Sequence, residues 1–205
     1  MVAPDRTPPI VLAAGESRRF GAPKPLADWG GGPVLAHLLD VLARTGTDRP
    51  VVVLGHEAER VRRAVDLSGA AVVCNPEYRQ GQTSSLQAGL RALPAAAAAF
   101  LMVPVDHPLL EPEALLPLFD ALAPPARIVI PTHQGRRGHP PLLAREIAEE
   151  FLALAPDTPA HTVIRRDPSR VREIEIPSPG VVTSFNTPEE LRACEQRRQA
   201  PRSQG

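Results

Sequence analysis

The chain holds a single lysine, Lys24, against twenty-two arginines. That lysine closes the segment Leu12-Ala-Ala-Gly-Glu-Ser-Arg-Arg-Phe-Gly-Ala-Pro-Lys24. A compact ammonium kept where every other cation is a planar guanidinium points to a site that needs a point charge on a flexible stem. An apolar run, a small-residue turn and two adjacent arginines precede it, as in a strand leading into a loop that cradles phosphate. Chance placement of one residue is the competing reading. Ala13, Ala14 and Gly15 are small enough for backbone amides to approach a base or a phosphate, and Ser17, Arg18 and Lys24 could clasp a triphosphate. The spacing matches neither the Walker A loop nor GxGxxG.

Three further groups could join that loop. Asp106, in Val-Pro-Val-Asp-His-Pro-Leu, follows an apolar run and lies several residues too early to cap the helix that begins near Glu111. A carboxylate there is placed to hold Mg2+ between substrate phosphates. Asn75 opens a polar loop that runs to Ser84 and Ser85 at an expected helix start, where amides and hydroxyls favour a polar or anionic ligand. Plain capping accounts for the two serines almost as well. Asn186 precedes Thr187-Pro-Glu-Glu190, which reads as a capping box with proline in the first turn. Capping leaves the Asn186 side chain to face a cleft. His139, after Arg136-Arg137-Gly138, is a candidate contact for a second substrate, although a structural hydrogen bond is the commoner role of a lone histidine.

These groups need a scaffold that brings them together. Pro9–Ala14, Pro50–Leu54, Ala70–Cys74, Ala98–Val105 and Arg127–Ile130 are nearly continuous apolar runs, the pattern of strands buried on both faces. Amphipathic stretches at Pro33–Thr45, Glu57–Val65, Ser84–Leu93 and Pro112–Leu122 alternate with them as helices. The series predicts an α/β fold with a mostly parallel, doubly wound sheet, whose ligands bind beyond the carboxyl ends of the strands. Beyond Pro131 the pattern loosens into a loop at Thr132–Gly138, a helix at Ala144–Leu154, a strand near Arg172–Ile176 and a last helix from Thr187. Residues 9–195 read as one domain, with loose ends at 1–8 and 196–205.

Composition excludes several functions. Twenty-three basic and twenty-three acidic side chains balance to a formal net charge of zero, so no global field attracts nucleic acid. Arg62-Arg63 and Arg165-Arg166 read as solvated helix faces. Two distant cysteines, Cys74 and Cys194, form no disulfide framework or CxxC site, and the histidines show no zinc spacing. No apolar run reaches membrane-spanning length, and no signal-peptide core is seen near Met1. A reducing, cytoplasmic location is expected.

Taken together, the motifs resemble those of the nucleotidylyltransferases of molybdenum-cofactor maturation, in particular the molybdopterin cytidylyltransferase-like family. The matching pieces are Leu12-Ala-Ala-Gly-x-Ser-x-Arg-x-Gly-x-x-Lys24, Val51-Val-Val-Leu-Gly55-His-Glu-Ala-Glu59, Asn75-Pro-x4-Gly-x-x-Ser-Ser-Leu-x-x-Gly89-Leu, Val105-Asp-x-Pro-Leu, Gly138-His-Pro and Asn186-Thr-Pro-Glu. They run in order along almost the whole chain. The resemblance implies a Rossmann-like sheet of the nucleotide-diphospho-sugar transferase type. It implies binding of a nucleoside triphosphate with Mg2+, transfer of the NMP to a phosphate acceptor, and release of pyrophosphate.

Carried onto this chain, Arg18 and Lys24 would stabilise the leaving pyrophosphate, and Asp106 with Asn186 would hold Mg2+. Leu12, Ala13, Ala14, Gly15, Ser17, Gly55, Asn75, Ser84, Ser85 and Gly89 would line the nucleotide side, and His139 the acceptor side. Ala14, where guanylyl relatives more often carry a second glycine, looks like the cytidylyl version and favours CTP. The implied acceptor is a pterin, with a molybdenum hydroxylase as the enzyme that receives the product. Two departures stand out. The family commonly shows Gly-Asp-Gln-Pro where this chain has Val105-Asp-His-Pro108, and an acidic residue where it has Asn186. They leave open a sugar or polyol phosphate as acceptor, or a non-catalytic chaperone that inserts a cofactor.

Overall fold

The computed structural model describes residues 1–199. Four strands are mutually parallel: β1 (Pro9–Ala13), β2 (Val51–Leu54), β3 (Ala71–Cys74) and β4 (Ala99–Pro104); β3 is the sheet edge and is half-exposed, not buried on both faces as its apolar run suggested. Their order is β3-β2-β1-β4, with Val11 beside Val52 and Val103. Each is followed by a helix: α1 (Val34–Arg44), α2 (Ala58–Ala64), α3 (Gln82–Arg91) and α4 (Pro112–Ala121). These are the expected strands and helices, with ends displaced by a residue or two.

Beyond β4 the sheet is mixed. Strands β5 (Ile128–His133), β6 (Arg136–Arg137), β7 (Leu142–Ala144) and β8 (Val171–Glu175) extend it, and β7 lies antiparallel between β4 and β5. The apolar pair Leu142-Leu143 follows Pro140-Pro141, which reads as loop because neither proline can donate to a ladder. The Pro141 carbonyl nonetheless accepts from Met102 N at 3.1 Å. The helix expected at Ala144–Leu154 is a 3-10 turn followed by the short α5 (Ala148–Leu152). Helix α6 (His161–Arg166) carries Arg165-Arg166, and α7 (Pro188–Gln199) closes the fold.

Strand alternation divides the core between the two faces of the sheet. Val11, Val52, Leu54, Leu101 and Val103 meet Leu35 and Leu38 of α1 and Leu115 and Leu118 of α4. Ile10, Leu12, Val51, Val53 and Phe100 meet Leu86 and Leu90 of α3 and Phe151 of α5. Phe100 and Phe151 are fully buried edge to face, with centroids 6.5 Å apart; truncating either costs about 3–5 kcal/mol. Gly89 lets α3 lie close on the sheet, since a Cβ there would overlap Ile10 and stand 3.0 Å from Val53 Cγ2. The stretch before β1, expected to be loose, is tied down: Val2 N donates to Phe119 O at 3.1 Å, and Thr7 is fully buried. Of the tail expected at 196–205, residues 196–199 continue α7, and 200–205 lie outside the described residues.

Candidate active site

The four parallel strands end on one side of the sheet, and the loops that leave them build a cleft of about 270 Å³. Leu12 and Ala13 come from the end of β1, Ala14, Gly15, Ser17 and Lys24 from the loop after it, and Pro104, Val105 and Asp106 from the end of β4. Tyr78 and Gly81, between β3 and α3, and Gln82 and Ser85, in the first turn of α3, form another wall.

Ser17 shapes the first loop. Its backbone is left-handed, at φ 52°, a conformation that a residue with a Cβ adopts at some cost. Its carbonyl accepts from Phe20 N at 2.8 Å and Gly21 N at 3.1 Å, and its hydroxyl accepts from Lys24 N at 3.2 Å. The loop therefore curls around Ser17 and returns Lys24 to the cleft.

Lys24 Nζ is the hub of the site. It donates to Asp106 Oδ2 at 2.7 Å and to Asn186 Oδ1 at 3.0 Å, and lies 5.3 Å from the centroid of the Phe185 ring. Asn186 Oδ1 also accepts from Arg19 Nη2 at 3.0 Å. Glu190 N donates to the Thr187 hydroxyl at 3.2 Å, and the Glu190 carboxylate accepts from Asn186 N. That exchange fixes the start of α7 and turns the Asn186 amide toward Lys24. Asp106 is no helix cap, since Glu111 occupies the N-cap position of α4.

Other expected site residues fall elsewhere. Arg18 stays out of the hub: its side chain is 83% exposed and its Nε donates to Glu16 Oε2 at 2.5 Å. Asn75 is buried and braces the loop, its Nδ2 donating to Ser84 Oγ at 2.9 Å and Ser85 Oγ at 3.0 Å. Ser84 in turn donates to Gly81 O at 2.8 Å. Of this trio only Ser85 lines the cleft. Helix α3 starts at Gln82 rather than Ser84, so the serines lie within its first turn. Gly55 packs under the site, where a Cβ would stand 2.7 Å from Ala14 O and 2.8 Å from Tyr78 Cβ. Gly89 acts in helix packing, away from the cleft.

His139 lines a second cavity of about 540 Å³, floored by Met102, Ile130 and Ile164 and edged by Arg137, His161 and Arg165. Gln82 borders both cavities. The His139 ring lies 4.9 Å from that of His107, centroid to centroid. Burial, reinforced by the neighbouring His139, pushes the His107 imidazole down to about 4, and burial lowers His139 as well. Among the described residues, His107 Nδ1 is buried without a hydrogen-bond partner. Sequence reasoning missed Arg19, Glu16, Tyr78, Gln82 and His107. For Arg19 the signal was present, because the motif Ser-x-Arg-x-Gly places its arginine at position 19.

Among the described residues, no three His, Cys, Asp or Glu side chains cluster for a metal. Asp106 and Asn186 nevertheless converge on one cation, the Lys24 ammonium, with a carboxylate and an amide oxygen. Those are the hard donors that suit Mg2+ when phosphate oxygens complete the shell.

The loop after β1, the lysine–carboxylate hub at the strand ends and the second cavity beside it lie where an open α/β sheet of the Rossmann-like type binds its ligands. The chain belongs to the MobA-like NTP transferase domain family, whose profile matches residues 9–171. It is 34% identical over 151 residues to a probable molybdenum cofactor guanylyltransferase of Bacillus thuringiensis (strain Al Hakam), covering 71% of this chain and 72% of that one. It is 35% identical over 119 residues to the bifunctional protein GlmU of Corynebacterium aurimucosum, covering 55% of this chain but only 24% of that one. Its fold superposes on the crystal structure of Rv0371c from Mycobacterium tuberculosis H37Rv with a TM-score of 0.81 at 28% identity, covering 95% of this chain and 100% of the other. A manganese complex of Rv0371c superposes with a TM-score of 0.78 at 27% identity, covering 93% and 98%. Among the described residues no helix is long and apolar enough to cross a membrane.

Proposed function

We propose that this chain transfers CMP from CTP to the phosphate of molybdopterin, with Mg2+, and releases pyrophosphate. The observation that carries the reading is the convergence of Lys24, Asp106 and Asn186 at the strand ends, facing a cleft walled by Leu12–Gly15. In the reaction, an acceptor phosphate oxygen forms a bond to the α-phosphorus of the nucleotide in line with the leaving oxygen. The bond from that phosphorus to the bridging oxygen breaks, and the electron pair leaves on pyrophosphate. The acceptor is already anionic at neutral pH, so positioning and charge neutralisation dominate over general-base catalysis.

The end of β1 at Leu12 and Ala13, the loop residues Ala14 and Gly15, and the Ser85 hydroxyl orient the base and ribose. Lys24, with Arg19 beside it, meets the negative charge that grows on pyrophosphate. Arg18 stands further out, toward the tail of the triphosphate. Asp106 and Asn186 would hold Mg2+, which supplies charge neutralisation between the phosphates. The acceptor occupies the second cavity, where the apolar floor suits a flat ring system and His139 lies on the side toward Asp106. A molybdenum hydroxylase is the enzyme proposed to receive the product, and the reducing cytoplasm the compartment.

The cytidylyl reading rests on Ala14, a cleft-lining residue whose extra methyl over glycine is taken to favour a pyrimidine. The guanylyl name of the Bacillus relative favours GTP as the second reading. Pyrophosphate release from CTP or GTP with molybdopterin and Mg2+ tests both. Faster release with CTP is expected. Release with GTP alone replaces the cytidylyl reading by the guanylyl one, and release only with a sugar phosphate moves the acceptor. Tight pterin binding without any release would favour the insertion chaperone.

A further inference from the structure

Glu16 sits in the phosphate loop between Gly15 and Ser17, both of which line the nucleotide cleft. An acidic side chain there opposes a triphosphate unless something answers its charge. Two arginines do. Glu16 Oε1 accepts from Arg79 Nε at 2.7 Å, and Oε2 accepts from Arg18 Nε at 2.5 Å. Arg18 belongs to the same loop, whereas Arg79 comes from the 3-10 turn Tyr78–Gln80 after β3. The carboxylate thus ties the loop after β1 to the turn after β3, next to the cleft-lining residues Gly15, Ser17 and Tyr78.

The layering of charge is unusual for a surface ion pair. The Glu16 side chain is only 18% exposed, while those of Arg18 and Arg79 are 83% and 73% exposed. Each guanidinium carries five N–H donors in a fixed fork, and only Nε of each is engaged with Glu16. The remaining donors belong to exposed side chains, with a net charge of one positive unit over the trio. Arg79 is held in place by the Tyr78 ring, which lies 5.4 Å from the guanidinium carbon and itself lines the cleft. Forked donors paired in this way suit the oxygens of a phosphate.

We propose that Glu16, Arg18 and Arg79 form a polyphosphate clamp in which the Glu16 carboxylate holds the place of the terminal phosphate until a nucleoside triphosphate arrives. Arg79 then binds the γ-phosphate and draws the Tyr78–Gln80 turn onto the nucleotide. The clamp rests on the reading of the cleft as a triphosphate site and adds a recognition element for the leaving group. It discriminates a triphosphate from the monophosphate that remains after transfer.

Calorimetry with CTP, CMP and inorganic tripolyphosphate tests it on the full chain, with circular dichroism to verify that each variant is folded. Arg79→Gln should weaken CTP and tripolyphosphate about tenfold, the value of one charge-assisted contact at an exposed site, and leave CMP within about twofold. Glu16→Gln should tighten CTP, because the competing anion is gone. Equal weakening of CTP and CMP by Arg79→Gln would make Arg79 a brace of the loop and overturn the clamp, as would no effect on either. Weakening of CTP by Glu16→Gln would overturn its place-holding role. If the wild type prefers GTP, GTP and GMP serve in the same comparison. A wild type that binds no nucleoside triphosphate overturns the site reading and the clamp together, whereas silent variants of a triphosphate-binding wild type overturn the clamp alone.

Discussion

Replacing Lys24 by alanine removes one ammonium from three neighbours at once: Asp106 Oδ2 at 2.7 Å, Asn186 Oδ1 at 3.0 Å and the face of Phe185. The effect on folding should be small. Asp106 has a side chain 24% exposed, so water can take over the vacated contact, and the cost lies near the lower end of about 1–3 kcal/mol for an orphaned polar partner. In a domain of this size about 1 kcal/mol lowers the melting temperature by roughly 2–4 °C. The effect on rate should be much larger. Lys24 faces the group that gains charge in the transition state, and losing one such donor costs about 3 kcal/mol, or roughly a hundredfold. Lys24→Arg keeps the charge, but its planar head must fit a space in which an ammonium already touches two oxygens. It should also lose most activity, while Arg62→Lys, on the outer face of α2, should lose little. Pyrophosphate release under saturating nucleotide, run beside thermal melts, separates the two effects. A Lys24→Arg enzyme as fast as wild type would falsify the hub assignment, and a fall in melting temperature beyond about 10 °C would make Lys24 a structural residue.

Four other outcomes are expected. Asp106→Asn should abolish pyrophosphate release and leave the melt nearly unchanged; near wild-type turnover at saturating Mg2+ would rule out the carboxylate as a metal ligand. Ala14→Gly should raise GTP affinity relative to CTP, and calorimetry showing an unchanged ratio would remove Ala14 as the selector. Because the native His107 imidazole is held at about 4 against an ordinary 6.5, the unfolded chain binds more protons between those values, and stability must fall as pH drops from 6.5 toward 4. The full difference is on the order of 3 kcal/mol; His107→Gln should flatten that part of a urea-denaturation series, and an unaltered pH dependence would clear His107. Gly89→Ala should destabilise by about 1–3 kcal/mol through overpacking against Ile10, and a wild-type urea midpoint would show that α3 can back away at no cost.

Much of this fold was legible because β1, β2 and β4 are buried on both faces and therefore appear as unbroken apolar runs. Strand β7 lacked that signature: three residues behind two prolines look like a turn until β4 and β5 are seen to flank them. The site was legible wherever a residue type was itself unusual, as with the lone lysine or a carboxylate after an apolar run. It was not legible where function depends on what a residue meets across the fold. Ser84 and Asn75 carry cleft-type side chains but spend them on each other, and Glu16 drew no attention until Arg79 arrived from another loop.

The adjacent arginines make the limit concrete. Arg18 and Arg19 have identical chemistry and are consecutive in the chain, so composition and charge cannot rank them. Their fates diverge at the bend that precedes them, where Ser17 adopts φ 52° and its carbonyl gathers the Phe20 and Gly21 amides. After that turn Arg18 lies over Glu16, and Arg19 reaches the Asn186 amide that Lys24 also holds. A left-handed residue with a Cβ is tolerated when its surroundings hold it in place, and such residues concentrate at functional sites. Here one hydroxyl and one carbonyl of Ser17 supply that hold, returning Lys24 to the cleft and deciding which arginine stands beside it.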